Sequence, residues 1–325
     1  MMPRTMHPRW AVAVVLLVII HLSNGFISPH IKHSTGFDAT SSDASSSSSN
    51  IIVLDHLNIN HEQGTHDSLL NFYVDTLGMT IDGRKLENVE KKKGTVWVNG
   101  GATQFHLSEG KPDPQVVDGR IILAVESEDA LRKIQKNLNT DSNILHCPYG
   151  NTFVLDVASP DPRGQQTGGE ISSTINGIQA VELNVKTEDD LAGIARFYET
   201  TFQVTTSQTK DPTTLHVPFG PHQSLNFKVG PILNDDYLDG TGPHISLYVK
   251  DLEQVWGRAS HLNYVNPRFK RQAHTLEEAK DQCMFRILHI VDPQTSRPIM
   301  RLEHEIRSPT EADGSPYKSY PFNNN

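Results

Sequence analysis

Polar side chains recur on one face of a strand-like segment, "LDHLNIN" at residues 54–60. Apolar and polar residues alternate there, so His56, Asn58 and Asn60 share one side, as the period of two in a β-strand requires. Buried without partners, each such group would cost about 1–3 kcal/mol. We therefore expect this row to face a wet cavity, where imidazole and amide groups can bind a ligand.

The same pattern returns about 126 residues later in "AVELNVK", which places Glu182 and Asn184 on one face. A helix-period segment follows each strand, "DSLLNFYVDTLG" in the first copy and "DLAGIARFYETTF" in the second. Further strands follow each copy, and then a shorter variant of the same unit. Four strand-helix-strand units of about 50 residues each are predicted, two in each half.

The N-terminal residues 1–25 read as a signal peptide, with a basic start and an apolar run too short to span a bilayer. Residues 26–50 are rich in Ser and form a predicted transit segment or linker. The pair resembles the two-part plastid presequences of algae with secondary plastids. We expect delivery to a plastid by way of the secretory pathway, with secretion as the alternative.

Composition limits the partners of the remaining chain. The formal net charge is −9, and the basic run at residues 91–93 is short, so nucleic acid is not expected as a main ligand. No later segment has the length of a membrane span, so no membrane partner is expected after processing. The oligomeric state is left open. The Gly-, Ser- and Thr-rich residues 159–174 form a predicted linker between domains at 51–158 and 175–308, and a disordered tail is predicted at 309–325.

Four motifs in order, "LNFYVDTLGM", "QFHLSEG", "GPHISLYV" and "VDPQTSRPIMRLEHE", resemble the vicinal oxygen chelate superfamily of glyoxalase I, extradiol dioxygenases and bleomycin-resistance proteins. The resemblance covers nearly all of the chain after residue 50. It implies an α+β fold of four βαβββ modules paired into two cup-shaped glyoxalase-like domains. One face of each sheet would pack on helices, including Val53, Leu57 and Ile59, while the other lines the cup.

The resemblance also implies metal positions on the first and last strands of the modules. Neither half alone supplies a good site: the positions of the first half include Arg120 and Val154, which cannot ligate, and those of the second are Glu182, Asn226, His244 and Arg301 or Glu303. If modules are exchanged between halves, the first and last modules bring together His56, His106, His244 and Glu303. This set would suit Fe²⁺, Zn²⁺, Ni²⁺ or Mn²⁺. Arg301 or Glu305 could take the place of Glu303, depending on strand register.

Such a site implies a metal-dependent lyase, isomerase or dioxygenase that acts on a small substrate with vicinal oxygens. A cup carboxylate, Glu182 or Glu305, would be the general base, with a pKa raised by burial. The alternative is a non-catalytic small-molecule-binding protein of the bleomycin-resistance type, which would need an aromatic lining. Tyr248 is the one aromatic residue that the alternation predicts for the cup.

Overall fold

A computed structural model describes residues 49–109, 114–158, 174–233, 243–264 and 272–317. Within these ranges the chain forms two mixed β-sheets of seven strands each, with helices against them, which confirms the predicted α+β class. The predicted signal peptide, nearly all of the Ser-rich segment and residues 159–173 of the predicted linker lie outside the described residues. None of the described helices is long and apolar enough to cross a membrane.

The first module begins with the long strand that carries His56. Its elements are β1 (Ile51–His61), α1 (His66–Leu70) continued by a π-helix (Asn71–Thr76), β2 (Thr80–Ile81), a 3₁₀ turn (Gly83–Lys85), α2 (Leu86–Glu90), β3 (Val96–Gly100) and β4 (Thr103–Glu109). The second module is shorter. Its elements are β5 (Gly119–Val125), α3 (Glu128–Asn137), β6 (Ile144–His146) and β7 (Thr152–Val157).

The third module repeats the first. Its elements are β8 (Ile175–Val185), α4 (Glu188–Phe202), β9 (Ser207–Gln208), β10 (Thr214–Pro218) and β11 (Ser224–Val229). Helix α4 begins with a capping box, in which the Thr187 side chain and the Asp190 side chain each accept the other's backbone N–H. The fourth module closes the fold. Its elements are β12 (His244–Val249), α5 (Leu252–Ala259), a 3₁₀ turn (Ser260–Leu262), α6 (Leu276–Gln282), β13 (Met284–Val291) and β14 (Pro298–Arg307).

Each sheet combines one module from each half of the chain. Sheet I has the order β13-β14-β12-β1-β4-β3-β2, and sheet II has the order β6-β7-β5-β8-β11-β10-β9. The first and fourth modules thus share sheet I through the antiparallel pair β1 and β12, and the second and third share sheet II. This is the exchange between halves that the resemblance implies, so neither sheet is confined to one of the predicted ranges 51–158 and 175–308.

Polar and backbone contacts join the two sheets. The Gln223 side chain accepts a hydrogen bond from Leu54 N at 3.0 Å and donates to Leu54 O and Ile178 O, each at 3.0 Å. Gly101 has φ +53°, and a Cβ at this position would lie 1.8 Å from the carbonyl oxygen of Asn176. Only glycine allows this approach of the two backbones.

Strand β1 contains a β-bulge that the alternation did not predict. Leu54 pairs with Leu247 and His56 with Ser246, so Asp55 is an extra residue without an opposite partner. The bulge changes which face each residue occupies. Leu57 and Ile59 pack in the main core as predicted, whereas Val53 belongs to a small separate cluster with Tyr248, Cys283 and Tyr317.

The described part of the predicted disordered tail, residues 309–317, packs against sheet I. Tyr317 N donates to Pro309 O at 2.9 Å, and Glu311 N donates to Ser315 O at 2.7 Å. The Tyr317 ring is 8% exposed and lies 6.5 Å from the Tyr248 ring. Burial of this aromatic side chain fixes a segment that its polar composition alone predicted to be disordered.

Candidate metal centre

Three side chains from neighbouring strands of sheet I converge: His56 of β1, His244 of β12 and Glu305 of β14. The register places His56 opposite Ser246, and Ser246 opposite Glu305. One ligand atom from each of the three residues lies within 4.8 Å of the others. Two imidazoles and a carboxylate at this separation can hold one divalent ion.

His56 is oriented by the bulge residue before it. Its Nδ1 lies 2.8 Å from Oδ2 of Asp55, and its side chain is 1% exposed. The bulge brings these adjacent side chains together, since regular alternation would send them to opposite faces. Nε2 of His56 is buried without a hydrogen-bond partner in the part of the chain that the structure describes. A buried imidazole with one nitrogen held by a carboxylate and the other unpaired has the arrangement of a metal ligand.

Glu305 is held as an anion by two arginines. Its carboxylate accepts hydrogen bonds from Arg286 Nη2 and from Arg307 Nε. Burial raises the pKa of Glu305, but the charges of Arg307 and Arg286 outweigh burial and hold the pKa well below its usual range. The carboxylate is therefore suited to ligate a cation. This direction is opposite to the raised pKa that a general base would need, so the structure does not support the predicted base role of Glu305.

His244 is the third member and is half-buried. Its ring lies edge-on to that of His56, with 5.6 Å between centroids. Burial is the main cause that lowers the pKa of His244 well below the usual value, and the charge of Arg286 acts in the same direction. The imidazole is thus neutral near pH 7, as ligation requires.

His106 and Glu303, both predicted as ligands, make other contacts. The His106 ring is stacked between His56, at 3.7 Å, and Trp97, at 4.2 Å, and its Nε2 lies 2.6 Å from Oε1 of Gln104. Burial, followed by the charge of His56, lowers the pKa of His106 well below the usual value. Glu303 lies opposite His244 in the register, and its carboxylate pairs with Arg286 Nη1. The group of three therefore contains Glu305 in place of Glu303 and does not contain His106.

Glu182, the other predicted base, lies on strand β8 in sheet II. Its Oε1 is 2.8 Å from Arg120 Nε, and its Oε2 accepts a hydrogen bond from Arg120 Nη2 at 3.0 Å. Glu182 is therefore on a different sheet from His56, His244 and Glu305.

Sequence reasoning missed Asp55, Arg286 and Arg307. The period of two assigns Asp55 to the helix side of β1, and only the bulge reverses this. Arg307 also reaches Asp55, with 3.6 Å between Nη1 and Oδ2, so one arginine connects the carboxylates behind His56 and at Glu305. The sequence does not show which carboxylate each of the two arginines, Arg286 and Arg307, will contact, because several glutamates lie near them.

Comparison with known proteins shows likeness at the level of structure. No family model matches the chain, and a search of curated proteins finds no match either. A "putative dioxygenase" from Bacillus subtilis is similar over 82% of this chain and 89% of its own, with 15% identity and a TM-score of 0.50. Glyoxalase I from Zea mays is similar over 79% of this chain and 92% of its own, with 13% identity and a TM-score of 0.48.

A third structure, the Mn(II)-bound glyoxalase from Novosphingobium aromaticivorans, is similar over 80% of this chain and 83% of its own, with 13% identity and a TM-score of 0.31. At these identities the likeness concerns the fold and not the reaction. The likeness to the Bacillus subtilis structure, together with the four exchanged modules in two seven-stranded sheets, shows that this chain has the tandem four-module α+β fold that the sequence resemblance implied.

Proposed function

We propose that the protein is a metal-dependent enzyme that acts on a small substrate with two adjacent oxygens. The observation that carries this proposal is the buried, unpaired Nε2 of His56 in a group with His244 and Glu305. An unpaired buried polar atom is destabilising, so a partner is expected for it. A divalent cation held also by the anionic Glu305 and the neutral His244 would provide that partner.

The number of ligands favours one reaction class. Two histidines and one carboxylate, with further positions open, are typical of non-haem Fe²⁺ oxygenases. A divalent ion bound there would supply Lewis-acid binding of vicinal oxygens and, if it is Fe²⁺, activation of O₂. We therefore prefer an oxygen-dependent dioxygenase to a lyase or isomerase as the proposed reaction class. The name of the Bacillus subtilis structure agrees with this order, although its likeness to this chain is one of fold.

The chain's own residues prepare the site in three ways. Asp55 holds Nδ1 of His56, so that Nε2 points away from the carboxylate. Arg286 and Arg307 keep Glu305 ionised in a buried position. The stacked rings of Trp97 and His106 form a wall next to His56 that excludes water from one side.

A strip of neutral polar groups continues from the site along β1 and β4. Ser108 Oγ donates to Asn58 Oδ1 at 2.8 Å, and Asn58 Nδ2 donates to Asn60 Oδ1 at 3.1 Å. These groups can exchange hydrogen bonds with a substrate that carries hydroxyl or carbonyl oxygens. The strip thus provides polar contacts beside the metal ligands, as the row of side chains in "LDHLNIN" first indicated.

The alternative of a sequestering binding protein has weaker support. It depended on Tyr248 as an aromatic lining residue. Tyr248 is fully buried and packs against Tyr317 and Cys283, so its ring is not available to a ligand in the cup. We therefore prefer the metal-dependent enzyme to the binding protein as the proposed function.

Metal content tests the proposal. The chain would be purified without chelator, incubated with Fe²⁺, Mn²⁺, Zn²⁺ or Ni²⁺, desalted and analysed by mass spectrometry. We expect close to one ion per chain in the wild type, and its loss in His244→Ala and Glu305→Gln. Glu303→Gln is the matched control, because Glu303 is outside the group of three, and it should retain the ion. A wild type that remains metal-free would refute the proposal.

Reaction class needs a second assay on the metal-loaded protein. Oxygen uptake with simple catechols would support the dioxygenase assignment. Conversion of 2-oxoaldehyde adducts without oxygen uptake would instead identify a lyase or isomerase. The His244→Ala variant should lose whichever activity is found.

A further inference from the structure

A cavity of about 430 Å³ lies on sheet II, apart from the proposed metal ligands on sheet I. Its walls come from the starts of β8 and β11, the end of β10, Ala124 of β5 and Thr103 of β4. This volume is within the range of pockets that hold small organic molecules.

The two sheets repeat the same irregular strand pairing, so their positions can be matched residue by residue. In sheet I the pairing of β1 with β12 skips Ile52 and Asp55. In sheet II the pairing of β8 with β5 skips Asn176 and Gln179. Each pair of bulges encloses two paired residues, which therefore correspond between the sheets.

The place that a tyrosine ring covers on sheet I is uncovered on sheet II. Val53 pairs with Tyr248 between the bulges of sheet I, and the Tyr317 ring packs on this pair, 6.5 Å from the Tyr248 ring. The corresponding pair on sheet II is Gly177 and Ala124, and both residues line the cavity. The cavity thus lies where sheet I holds two aromatic rings.

Small residues keep this space open. Gly177 has φ +150°, a conformation that residues with a side chain rarely adopt. Ala124 and Ala158 add only methyl groups to the wall. A planar ring therefore suits the shape of the space, as the Tyr317 ring suits the corresponding place on sheet I.

Hydrogen-bonding atoms that a ligand can reach lie on β10 and β11. Nδ1 of His216 is 3.0 Å from Oδ1 of Asn226, so Nδ1 donates its proton there and Nε2 is left as an acceptor. Nε2 has no hydrogen-bond partner within the described residues and is open to the cavity. Ser224 lies diagonally across from His216 on the same face, and its hydroxyl is also open to the cavity.

The walls carry no permanent charge. Among the described residues, the cavity is lined by no Asp, Glu, Lys or Arg, and its titratable groups are His216 and the exposed His222. A ligand with a permanent charge would lose hydration without gaining a permanent opposite charge. A neutral ring with a hydroxyl group that donates to an imidazole nitrogen is therefore the best complement.

We propose that this cavity is a second ligand site, distinct from the metal centre, that binds a neutral phenol. The ring lies on Gly177 and Ala124, in the place that corresponds to that of Tyr317 on sheet I. The phenol hydroxyl donates a hydrogen bond to Nε2 of His216 and accepts one from Oγ of Ser224. Both atoms are accessible before the ligand binds, so the sheet does not have to open.

Fluorescence titration with 2-naphthol tests the site on the full chain after dialysis against a chelator. We expect saturable binding at millimolar concentrations or below. The methyl ether of 2-naphthol lacks the hydroxyl proton and should bind about three- to tenfold more weakly. 2-Naphthoate, which is ionised near neutral pH, should also bind more weakly. Absence of saturable 2-naphthol binding, or equal or tighter binding of either analogue, would overturn the proposal.

Variants of the wall locate the ligand. Ala124→Phe fills the space with a ring and should weaken 2-naphthol binding by at least about tenfold. His216→Phe and Ser224→Ala leave the space open, and each should weaken 2-naphthol binding about three- to tenfold while affecting the methyl ether less. If Ala124→Phe does not fold, the other two variants decide. Unchanged binding in every variant with a native circular dichroism spectrum would overturn the proposal.

The His244→Ala variant separates this site from the metal centre. Binding of 2-naphthol should be the same in this variant as in the wild type. Loss of binding in His244→Ala, with binding retained in His216→Phe, would place the probe at sheet I and overturn the assignment to sheet II.

Discussion

Nδ1 of His56 lies 2.8 Å from Oδ2 of Asp55, the residue directly before it in the chain. Consecutive residues of a regular strand point to opposite faces, so this contact depends on the bulge at Asp55. It leaves Nε2 of His56 as the nitrogen available to a metal ion. Carboxylate partners of ligating histidines fix the ring and increase its basicity.

Replacement of Asp55 should weaken metal binding without removing a ligand. Asp55→Asn keeps the size of the side chain but loses its charge, and we expect metal affinity to fall about 10–100-fold. Competition with a chelator of known affinity would measure the change. Asp75→Asn, at an exposed position, is the control and should bind metal like the wild type. Equal affinities in the two variants would show that Asp55 does not support a ligand.

His106 should be dispensable for metal binding. Its ring fills the space between His56 and Trp97, and its Nε2 contacts Gln104 and is not part of the group of three. His106→Phe preserves a stacked ring, so we expect close to full metal occupancy, measured as metal per chain. Loss of metal in this variant, with retained folding by circular dichroism, would instead make His106 a fourth ligand.

Arg286 should be important for stability, because it contacts two buried carboxylates. Its guanidinium pairs with Glu303 and Glu305, and its side chain is 8% exposed. Arg286→Met would leave both acids without this partner, and we expect the metal-free protein to lose about 3–5 kcal/mol of unfolding free energy. Urea denaturation would measure it. The exposed Arg132→Met should change stability by less than about 0.5 kcal/mol. If Arg286→Met also lost less than about 0.5 kcal/mol, the prediction that Arg286 stabilises the two buried carboxylates would be wrong.

The sequence predicted which face of a strand a side chain occupies better than it predicted which residues of neighbouring strands lie side by side. Alternation placed His56 and Asn58 on the polar side of β1, and the resemblance predicted that the first and last modules would meet. The period of two also puts Glu303 and Glu305 on one face, so it could not decide which lies near His56. That choice depends on strand register and on the position of Arg286, and both arise from contacts between segments far apart in sequence.

Bulges account for the remaining differences. The extra residue at Asp55 moved Val53 away from the main core, and the one at Gln179 placed an amide in a cavity. A bulge leaves no mark in a hydrophobic pattern when the extra residue is itself polar or lies at a strand end. The buried Tyr317 was missed for a related reason, since a single aromatic residue in a polar tail does not reveal the surface on which it packs.

Gln223 should hold the two sheets together. Its amide makes three buried hydrogen bonds, to Leu54 N, Leu54 O and Ile178 O. Gln223→Leu fills similar space but leaves these backbone groups unpaired, and we expect a loss of about 2–4 kcal/mol in unfolding free energy. Urea denaturation would measure it, with Gln208→Leu on the exposed strand β9 as control. An effect no larger than that of the control would show that water replaces these bonds.

The link between α4 and the β13–β14 turn should give the protein a defined sensitivity to acid. Arg196 donates two hydrogen bonds to Asp292, Nε to Oδ1 and Nη2 to Oδ2, each at 2.9 Å. These bonds outweigh the opposing effect of burial and hold the pKa of Asp292 below its ordinary value. The unfolded chain therefore takes up a proton at this position before the folded chain does. The stabilisation is complete above about pH 4 and is lost as the pH falls further.

Asp292→Asn isolates this contribution. Arg196 is 36% exposed, so water screens the pair, and we expect the variant to be only about 1 kcal/mol less stable than the wild type at pH 7. The difference should shrink as the pH is lowered from 5 to about 2, because the wild type then loses the same charge. Urea denaturation across that range would measure it, with the exposed Asp129→Asn as control. A difference that stays constant with pH would assign the effect to the neutral hydrogen bonds of Asp292 with Gln294 and Thr295, and would contradict a role for its charge.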